Sequence, residues 1–254
     1  MTGAPAGGSP PPGAAHGPAG ILVISGTGTG VGKTIVTAAI AALARAAGRG
    51  VAVVKPAQTG IRDDDPGNSD VPDINTVIRL AGVTDTHELA RFPDPLSPEA
   101  AARVSGLPPL DAGAAADYIA KLAAERDLVL VEGAGGLLVR YDPAGRTLAD
   151  VAAALDAPVL VVAAAGLGTL NHTALTREAL SARGLGCAGL VIGSWPRDPG
   201  LADEQNLADL PVAAGAPIAG ILPEGAGALG RADFLRVARE GLVASLGGTR
   251  AALA

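Results

Sequence analysis

Residues 21–46, ILVISGTGTGVGKTIVTAAIAALARA, constrain this chain more than any other stretch. Residues 21–24 are a short aliphatic, partly β-branched run, which suits a strand covered on both faces. Gly26, Gly28, Gly30 and Gly32 follow on alternate positions, and Lys33 and Thr34 open an alanine-rich helix. Glycines let backbone N–H groups approach an anion closely, and a helix N-terminus adds partial positive charge. The stretch therefore reads as a phosphate cradle, with Lys33 reaching the β- and γ-phosphates and the Thr34 hydroxyl a ligand for Mg²⁺. The common P-loop pattern wants a glycine five residues before Gly32; Thr27 stands there, so this is a variant loop. The bland alternative, a glycine-rich turn without ligand, leaves the G-K-T after a buried strand unexplained.

The rest of the chain alternates strand and helix. Residues 51–54 form a second strand, ending in Lys55-Pro56-Ala57-Gln58-Thr59-Gly60. Ligands in open α/β sheets bind beyond the carboxyl ends of strands, so Lys55 is a site candidate rather than only a solvated lysine. Residues 61–72 form a loop holding Asp63, Asp64, Asp65 and Asp70, most of which read as solvated surface. Asp73 begins a helical pattern with Ile74, Val77, Ile78 and Ala81, and is either an N-cap or a ligand. Residues 83–110 are proline-rich and loop-like, interrupted by a short helix over 98–104. A helix over 111–125 leads to a strand at 128–131, directly followed by Glu132-Gly133-Ala134-Gly135-Gly136. That carboxylate either faces phosphate and metal or is exposed at a tight turn. Helices over 147–155, 171–183, 201–210 and 231–246 then alternate with strands over 158–164, 187–193 and 217–222. The pattern predicts an α/β, P-loop NTPase-like fold, a mainly parallel sheet with helices on both faces and right-handed crossovers. One domain over 21–254 is expected, without internal repeat.

Composition narrows the function classes. Hydrophobic residues are 48% of the 254 but aromatics only 2%, so the core must be aliphatic. A net charge of −6 without a basic cluster disfavours nucleic-acid binding. Cys187 is the only cysteine, which excludes an internal disulfide and reads as a small core residue. No run approaches the length of a membrane span. Residues 1–20, mostly Gly, Ala and Pro, have neither a basic nor an apolar leader segment and read as a disordered extension. A soluble, cytoplasmic protein is the expectation.

A second glycine-bearing turn, Gly166-Leu167-Gly168-Thr169-Leu170-Asn171-His172, follows the 158–164 strand and opens a helix. It is a second candidate anion cradle, or a helix capped plainly by Thr169 or Asn171, with His172 structural. Trp195 lies beyond another strand, at a place suited to a nucleotide base or to ordinary packing.

Taken together, GTGTGVGKT at 26–34, KPAQTG at 55–60, VEGAGG at 131–136 and GTLNHT at 168–173 resemble the dethiobiotin synthetase family. The order and spacing of the four motifs extend the resemblance from about residue 21 to at least 222. The resemblance implies ATP-dependent carboxylation and ring closure of 7,8-diaminopelargonic acid with CO₂, by way of a carbamate and a carbamic–phosphoric anhydride. It implies a homodimer with its sites at the interface, and no nucleic-acid or membrane partner. Carried over residue by residue, Lys33 and Lys55 are catalytic, and Thr34, Asp73 and Glu132 hold Mg²⁺, with Asp70 the fallback for Asp73. Nucleotide binding falls to Thr29, Gly30, Val31, Gly32, Lys33, Thr34, Ile35, Asp73, Glu132, Gly133, Ala134, Gly135, Gly193, Ser194, Pro223, Glu224 and Gly225. Substrate binding falls to Lys55, Thr59, Gly135 and Gly136, with Leu167, Gly168, Thr169, Leu170 and Asn171 of a partner subunit at the substrate carboxylate.

One departure stands out. Many members place an Asn, which reads adenine, where this chain has Gly193-Ser194. Base reading then falls to backbone groups there or in Pro223-Glu224-Gly225, and another nucleoside triphosphate can replace ATP. The alternative class is a regulatory ATPase of the chromosome-partitioning type; those carry a lysine at the position of Gly28, and this chain lacks it. A cobyrinate-type amidotransferase would need a glutaminase domain, for which there is no room.

Overall fold

The computed structural model describes residues 20–62 and 71–253. Of the expected extension over residues 1–20, Gly20 opens the first strand and residues 1–19 lie outside the described residues, as do Asp63, Asp64, Asp65 and Asp70.

Among the described residues nine strands form in chain order: β1 (Gly20–Gly26), β2 (Val51–Lys55), β3 (Gln58–Thr59), β4 (Thr86–Glu88), β5 (Arg91–Phe92), β6 (Leu128–Gly136), β7 (Val159–Ala163), β8 (Cys187–Trp195) and β9 (Ile218–Pro223). Eight α-helices accompany them there: α1 (Lys33–Ala46), α2 (Asp73–Ala81), α3 (Pro98–Ser105), α4 (Ala112–Ala123), α5 (Leu148–Ala154), α6 (Thr169–Ser181), α7 (Leu201–Ala214) and α8 (Arg231–Gly241). The main sheet runs β4-β2-β6-β1-β7-β8-β9 and all of its pairings are parallel. A parallel sheet needs both faces covered, which is why its strands are nearly continuous runs of Val, Leu and Ile. Alternate residues feed opposite cores. Leu22, Ile24, Leu128, Leu130, Leu160 and Val162 face the layer of α1, α2 and α8, while Val23, Val129, Val131, Val159 and Val161 face the layer containing α4, α5 and α7.

That division positions the site. The helix after β1 lies on one face and the helix after β6 on the other, although the two strands are neighbours. A crevice opens at their carboxyl ends, as expected where successive connections leave a sheet in opposite directions. The alanines Ala38, Ala39, Ala41, Ala42 and Ala44 are buried alongside Val36, Ile40 and Leu43, so much of the packing surface of α1 is small side chains.

Several expected elements differ. β6 continues through Gly136 because Gly26 pairs with Gly136, so Glu132 is inside a strand and not after it. The 83–110 segment holds β4, which extends the main sheet, and β5, which pairs with β3. Helix α7 runs past Pro211 to Ala214, where Gly215 ends it in the left-handed conformation; the proline has no N–H to give the Leu207 carbonyl one turn earlier, yet the helix continues for its final turn. Helix α8 stops at Gly241, because Leu242 and Val243 turn to bridge β9 through Gly220 and the Ala219 carbonyl. Cys187 is half-buried at the start of β8 rather than a core residue. Among the described residues no helix is long and apolar enough to cross a membrane.

Candidate functional site

A cavity of about 770 Å³ opens over the carboxyl ends of β1, β2 and β6. Its floor is the first glycine-rich turn. Gly32, at φ 93°, caps α1 without any side-chain partner, and no acidic residue sits in the first turn. The first N–H groups of α1 therefore face the cavity with the helix dipole behind them, an arrangement suited to an anion. Lys33 is only 8% exposed, and its Nζ donates to the Gly28 carbonyl at 3.0 Å, folded back over the turn.

Two buried strand residues meet it, one ending β2 and one within β6. Lys55, last in β2, is 4% exposed; its Nζ lies 2.5 Å from Asp73 Oδ2 and 2.9 Å from Glu132 Oε1, and donates to the Gly133 carbonyl at 3.2 Å. Glu132 is 1% exposed, which rules out the surface-turn reading. The Thr34 hydroxyl is 3.0 Å from Asp73 Oδ1 and 2.8 Å from Glu132 Oε1. Asp73 is the first residue of α2 and not its cap; Pro72 precedes it in the cap position.

The electrostatics follow from this arrangement. Burial lowers the Lys33 pKa, Lys55 lowers it further, and Glu132 and Asp73 only partly restore it. Burial also opposes the charge on Lys55, but Glu132 and Asp73 overcome it and hold the ammonium above the ordinary lysine value. For Asp73 burial works against ionisation, yet Lys55, Thr34 and Lys33 hold the carboxyl below its usual range. Two ammonium groups and two carboxylates thus form a balanced buried cluster.

The donor set suits a hard divalent cation. Three oxygen-bearing side chains, Thr34, Asp73 and Glu132, converge, with no thiol or imidazole among them. One Thr34 hydrogen cannot serve two carboxylates fully, so a cation there would resolve a shortage of donors.

The cavity also brings together Thr29, Gly30, Ile35, Thr59, Ala134 and Gly135. Gly133 and Gly136 follow on the same strand end, and Val31 is buried beneath the turn. Gly193 packs against the turn from β8, its carbonyl 2.6 Å from where a Cβ on Gly32 would stand. A side chain at 193 would collide with the Val31 carbonyl and Val162. The close approach therefore requires glycine there, which gives this position a structural reason apart from base reading. Ser194, Pro223, Glu224 and Gly225 are exposed together, joined by the Trp195–Pro223 pairing and a 2.7 Å bond from the Glu224 N–H to the Trp195 carbonyl. They border the N-terminal end of α1, where Gly227 meets Ile35.

Leu167, Gly168, Thr169, Leu170 and Asn171 do not line this cavity. Gly168 caps α6 at φ 88° with no side-chain cap, so neither Thr169 nor Asn171 caps the helix; the Thr169 hydroxyl instead donates to the Ala164 carbonyl at 2.7 Å. His172 borders a separate groove with Thr27, Leu138 and Leu175.

Sequence reading missed three contributors. Pro95, Leu96, Ser97 and Pro98 form a wall of the cavity, signalled only by their prolines. Gln58, 7% exposed, accepts from the Asp73 N–H at 3.0 Å. Tyr141 is wholly buried beside the cluster, its hydroxyl leaning towards the Ala134 N–H without a completed hydrogen bond; burial pushes its pKa up to about 12.

Known proteins share this architecture and this sequence. A family model described as an AAA domain matches residues 21–227. The ATP-dependent dethiobiotin synthetases BioD of Frankia casuarinae and Streptomyces avermitilis are each 60% identical, covering 90% of this chain and 94% of theirs. That of Streptomyces coelicolor is 58% identical with the same coverage. Among solved structures, the septum site-determining protein MinD of Pyrococcus horikoshii, complexed with Mg-ADP, aligns with a TM-score of 0.56 and 18% identity over 89% of this chain and 93% of its own. A ParA family ATPase from Chlorobium tepidum gives 0.53 and 14%, over 86% and 91%. At such identities the likeness concerns the P-loop α/β fold alone.

Proposed function

The chain belongs to the ATP-dependent dethiobiotin synthetase family, an enzyme of biotin biosynthesis, and on that premise we propose how its residues carry out the ring closure. One amine of 7,8-diaminopelargonic acid adds to CO₂ and loses a proton, giving a carbamate. A carbamate oxygen attacks the γ-phosphorus of ATP and ADP leaves. The second amine then attacks the carbonyl carbon of the mixed anhydride, phosphate departs and the ureido ring closes. Such chemistry depends on positioning and charge neutralisation more than on covalent help from the protein.

The carrying observation is the convergence of Lys33, Lys55, Thr34, Asp73 and Glu132 in one cavity. Lys33 neutralises the phosphates from the helix start. Lys55, held above the ordinary lysine value by two carboxylates, stays charged to orient the carbamate. Thr34, Asp73 and Glu132 would hold Mg²⁺, which when bound offsets the phosphate charge. Thr29, Gly30, Val31, Gly32 and Ile35 follow the phosphates, and Thr59, Gly135 and Gly136 line the diamine side. The base is met by backbone groups around Gly193, Ser194 and residues 223–225, so other nucleoside triphosphates should serve within about tenfold of ATP. Leu167, Gly168, Thr169, Leu170 and Asn171 receive the substrate carboxylate of a second copy; the exposure of Leu138, Leu167 and Leu175 supports a homodimer.

The test is phosphate release from ATP with bicarbonate, with and without the diamine. Release that requires the diamine is expected. Release independent of it would point to a switch ATPase and contradict this reading.

A further inference from the structure

The first turn of helix α2 has no buried apolar residue, and polar contacts hold it: the Asp73 carboxylate meets Lys55 and Thr34. Its buried apolar residues are Val77, Leu80 and Ala81, all beyond the first turn, and Val71 just before it is 59% exposed. Asp73 is the first residue of the helix, so no helix carbonyl accepts from its N–H, and a cap side chain would serve the second or third residue instead. Gln58 supplies an acceptor from 15 positions away. Its Oε1 accepts from the Asp73 N–H at 3.0 Å, while its Nε2 donates to the Thr59 carbonyl at 3.1 Å. The reversed amide would set donor against donor and acceptor against acceptor, so the two contacts fix one orientation. Gln58 is itself only 7% exposed and sits on β3, which is braced by pairing with β5.

We propose that Gln58 is a positioning residue for the Asp73 carboxylate: it pins the first residue of α2 over the phosphate cradle through the backbone and so sets the affinity for the divalent cation. The inference rests on the reading of Asp73 as a metal ligand. Gln58 touches neither metal nor phosphate in this account. It acts as the outer partner that keeps a ligating group in place, and it also ties that group to Thr59 on the diamine side.

The experiment titrates Mg²⁺ into the ADP complex of the full chain by calorimetry, for wild type, Gln58→Met, Gln58→Glu and Asp73→Asn. Gln58→Met keeps the length but removes the acceptor, and is expected to weaken Mg²⁺ binding about tenfold, the lower end of what outer-shell partners cost. Its affinity for ADP without metal should be unchanged. Gln58→Glu keeps an acceptor oxygen for the Asp73 N–H but sets its other oxygen against the Thr59 carbonyl and adds a charge, so it should bind Mg²⁺ more tightly than Gln58→Met without having to match wild type. If Asp73→Asn weakens the metal and Gln58→Met does not, the positioning role is wrong while the ligand reading stands. If Asp73→Asn leaves metal affinity unchanged, the ligand reading itself fails. Equal weakening by Glu and Met at position 58 would assign the effect to shape and overturn the acceptor role. Hydrogen exchange on the unaltered protein needs no variant to fold: the Asp73 amide should be protected, and exchange at the unprotected rate would overturn the proposal.

Discussion

The two glycine-capped turns of this chain use the same backbone device for different ends. In both, a strand ends, a glycine in the left-handed conformation caps the next helix (Gly32 at φ 93°, Gly168 at φ 88°), and neither side-chain cap nor acidic residue occupies the first turn. Both helix starts are open to an anion. They differ in what faces them. The first is enclosed by Lys55 at the end of β2, Glu132 within β6 and Asp73 at the start of α2, and lies on the cavity floor. The second carries Leu167, 92% exposed, with Gly168, Asn171 and His172 also exposed. Its loop is held from behind, by Asn206 donating to the Ala165 and Gly166 carbonyls at 2.6 and 3.2 Å. A helix start becomes a reaction centre where charges from neighbouring strands converge on it. In the proposed function the one that faces outward is completed by a second copy.

The sharpest way to break this contrast is to disable each turn. Lys33→Ala should lower kcat/KM by about 10³-fold or more while the thermal melt keeps its shape, since transition-state charge loses its main partner. Gly168→Asp, which strains the backbone at φ 88° but meets only the His172 ring at 3.9 Å, should chiefly raise KM for the diamine by setting a carboxylate against a carboxylate. Steady-state kinetics with each substrate varied separates the two; equal effects on both substrates would contradict the division between a phosphate-binding and a carboxylate-binding turn.

Removing the charges that distinguish the first turn comes next. Asp73→Asn and Glu132→Gln should each raise the Mg²⁺ needed for half-maximal rate by about tenfold. A third change addresses the outward turn: Leu167→Asp should shift the protein towards monomer in sedimentation, as a charge placed in a buried apolar contact disfavours it. A dimer that persists would remove Leu167 from the interface.

Smaller effects concern stability. The Asp73 pKa is lowered below 3.8 in the folded state, so its contribution is present above that value and lost as pH falls through the depressed one. Denaturant melts of wild type and Asp73→Asn should therefore differ by about 1 kcal/mol at neutral pH, the carboxylate being partly exposed, and converge in acid. Tyr141→Phe should change stability by less than about 1 kcal/mol, with a slight gain favoured, because it removes a buried hydroxyl with no partner among the described residues.

The first turn was legible because its chemistry is local: glycines, lysine and threonine adjoin one another, and the aliphatic runs mark the strands beside them. The second turn was equally legible as a turn, but not which way it faces. Other features depend on long-range contacts. Thr86, His87 and Glu88 form a three-residue polar strand that only the neighbouring β2 makes recognisable. The end of α8 at Gly241 depends on β9, and Gln58 matters because the fold brings Asp73 to it. Gly193 was legible as a departure from the family pattern, whereas its contact with Gly32 required the fold.

The central claim is that the inward turn of one copy works with the outward turn of another, and a mixed dimer tests it most directly. Lys33→Ala and Gly168→Asp chains carrying different tags are co-expressed and the heterodimer is purified through both tags. Each homodimer should be inactive at ordinary diamine concentrations. In the heterodimer one site combines both altered turns and the other combines both intact ones, so about half of the wild-type specific activity should return. A heterodimer as inactive as its parents would place both turns of each site in the same chain and contradict the account.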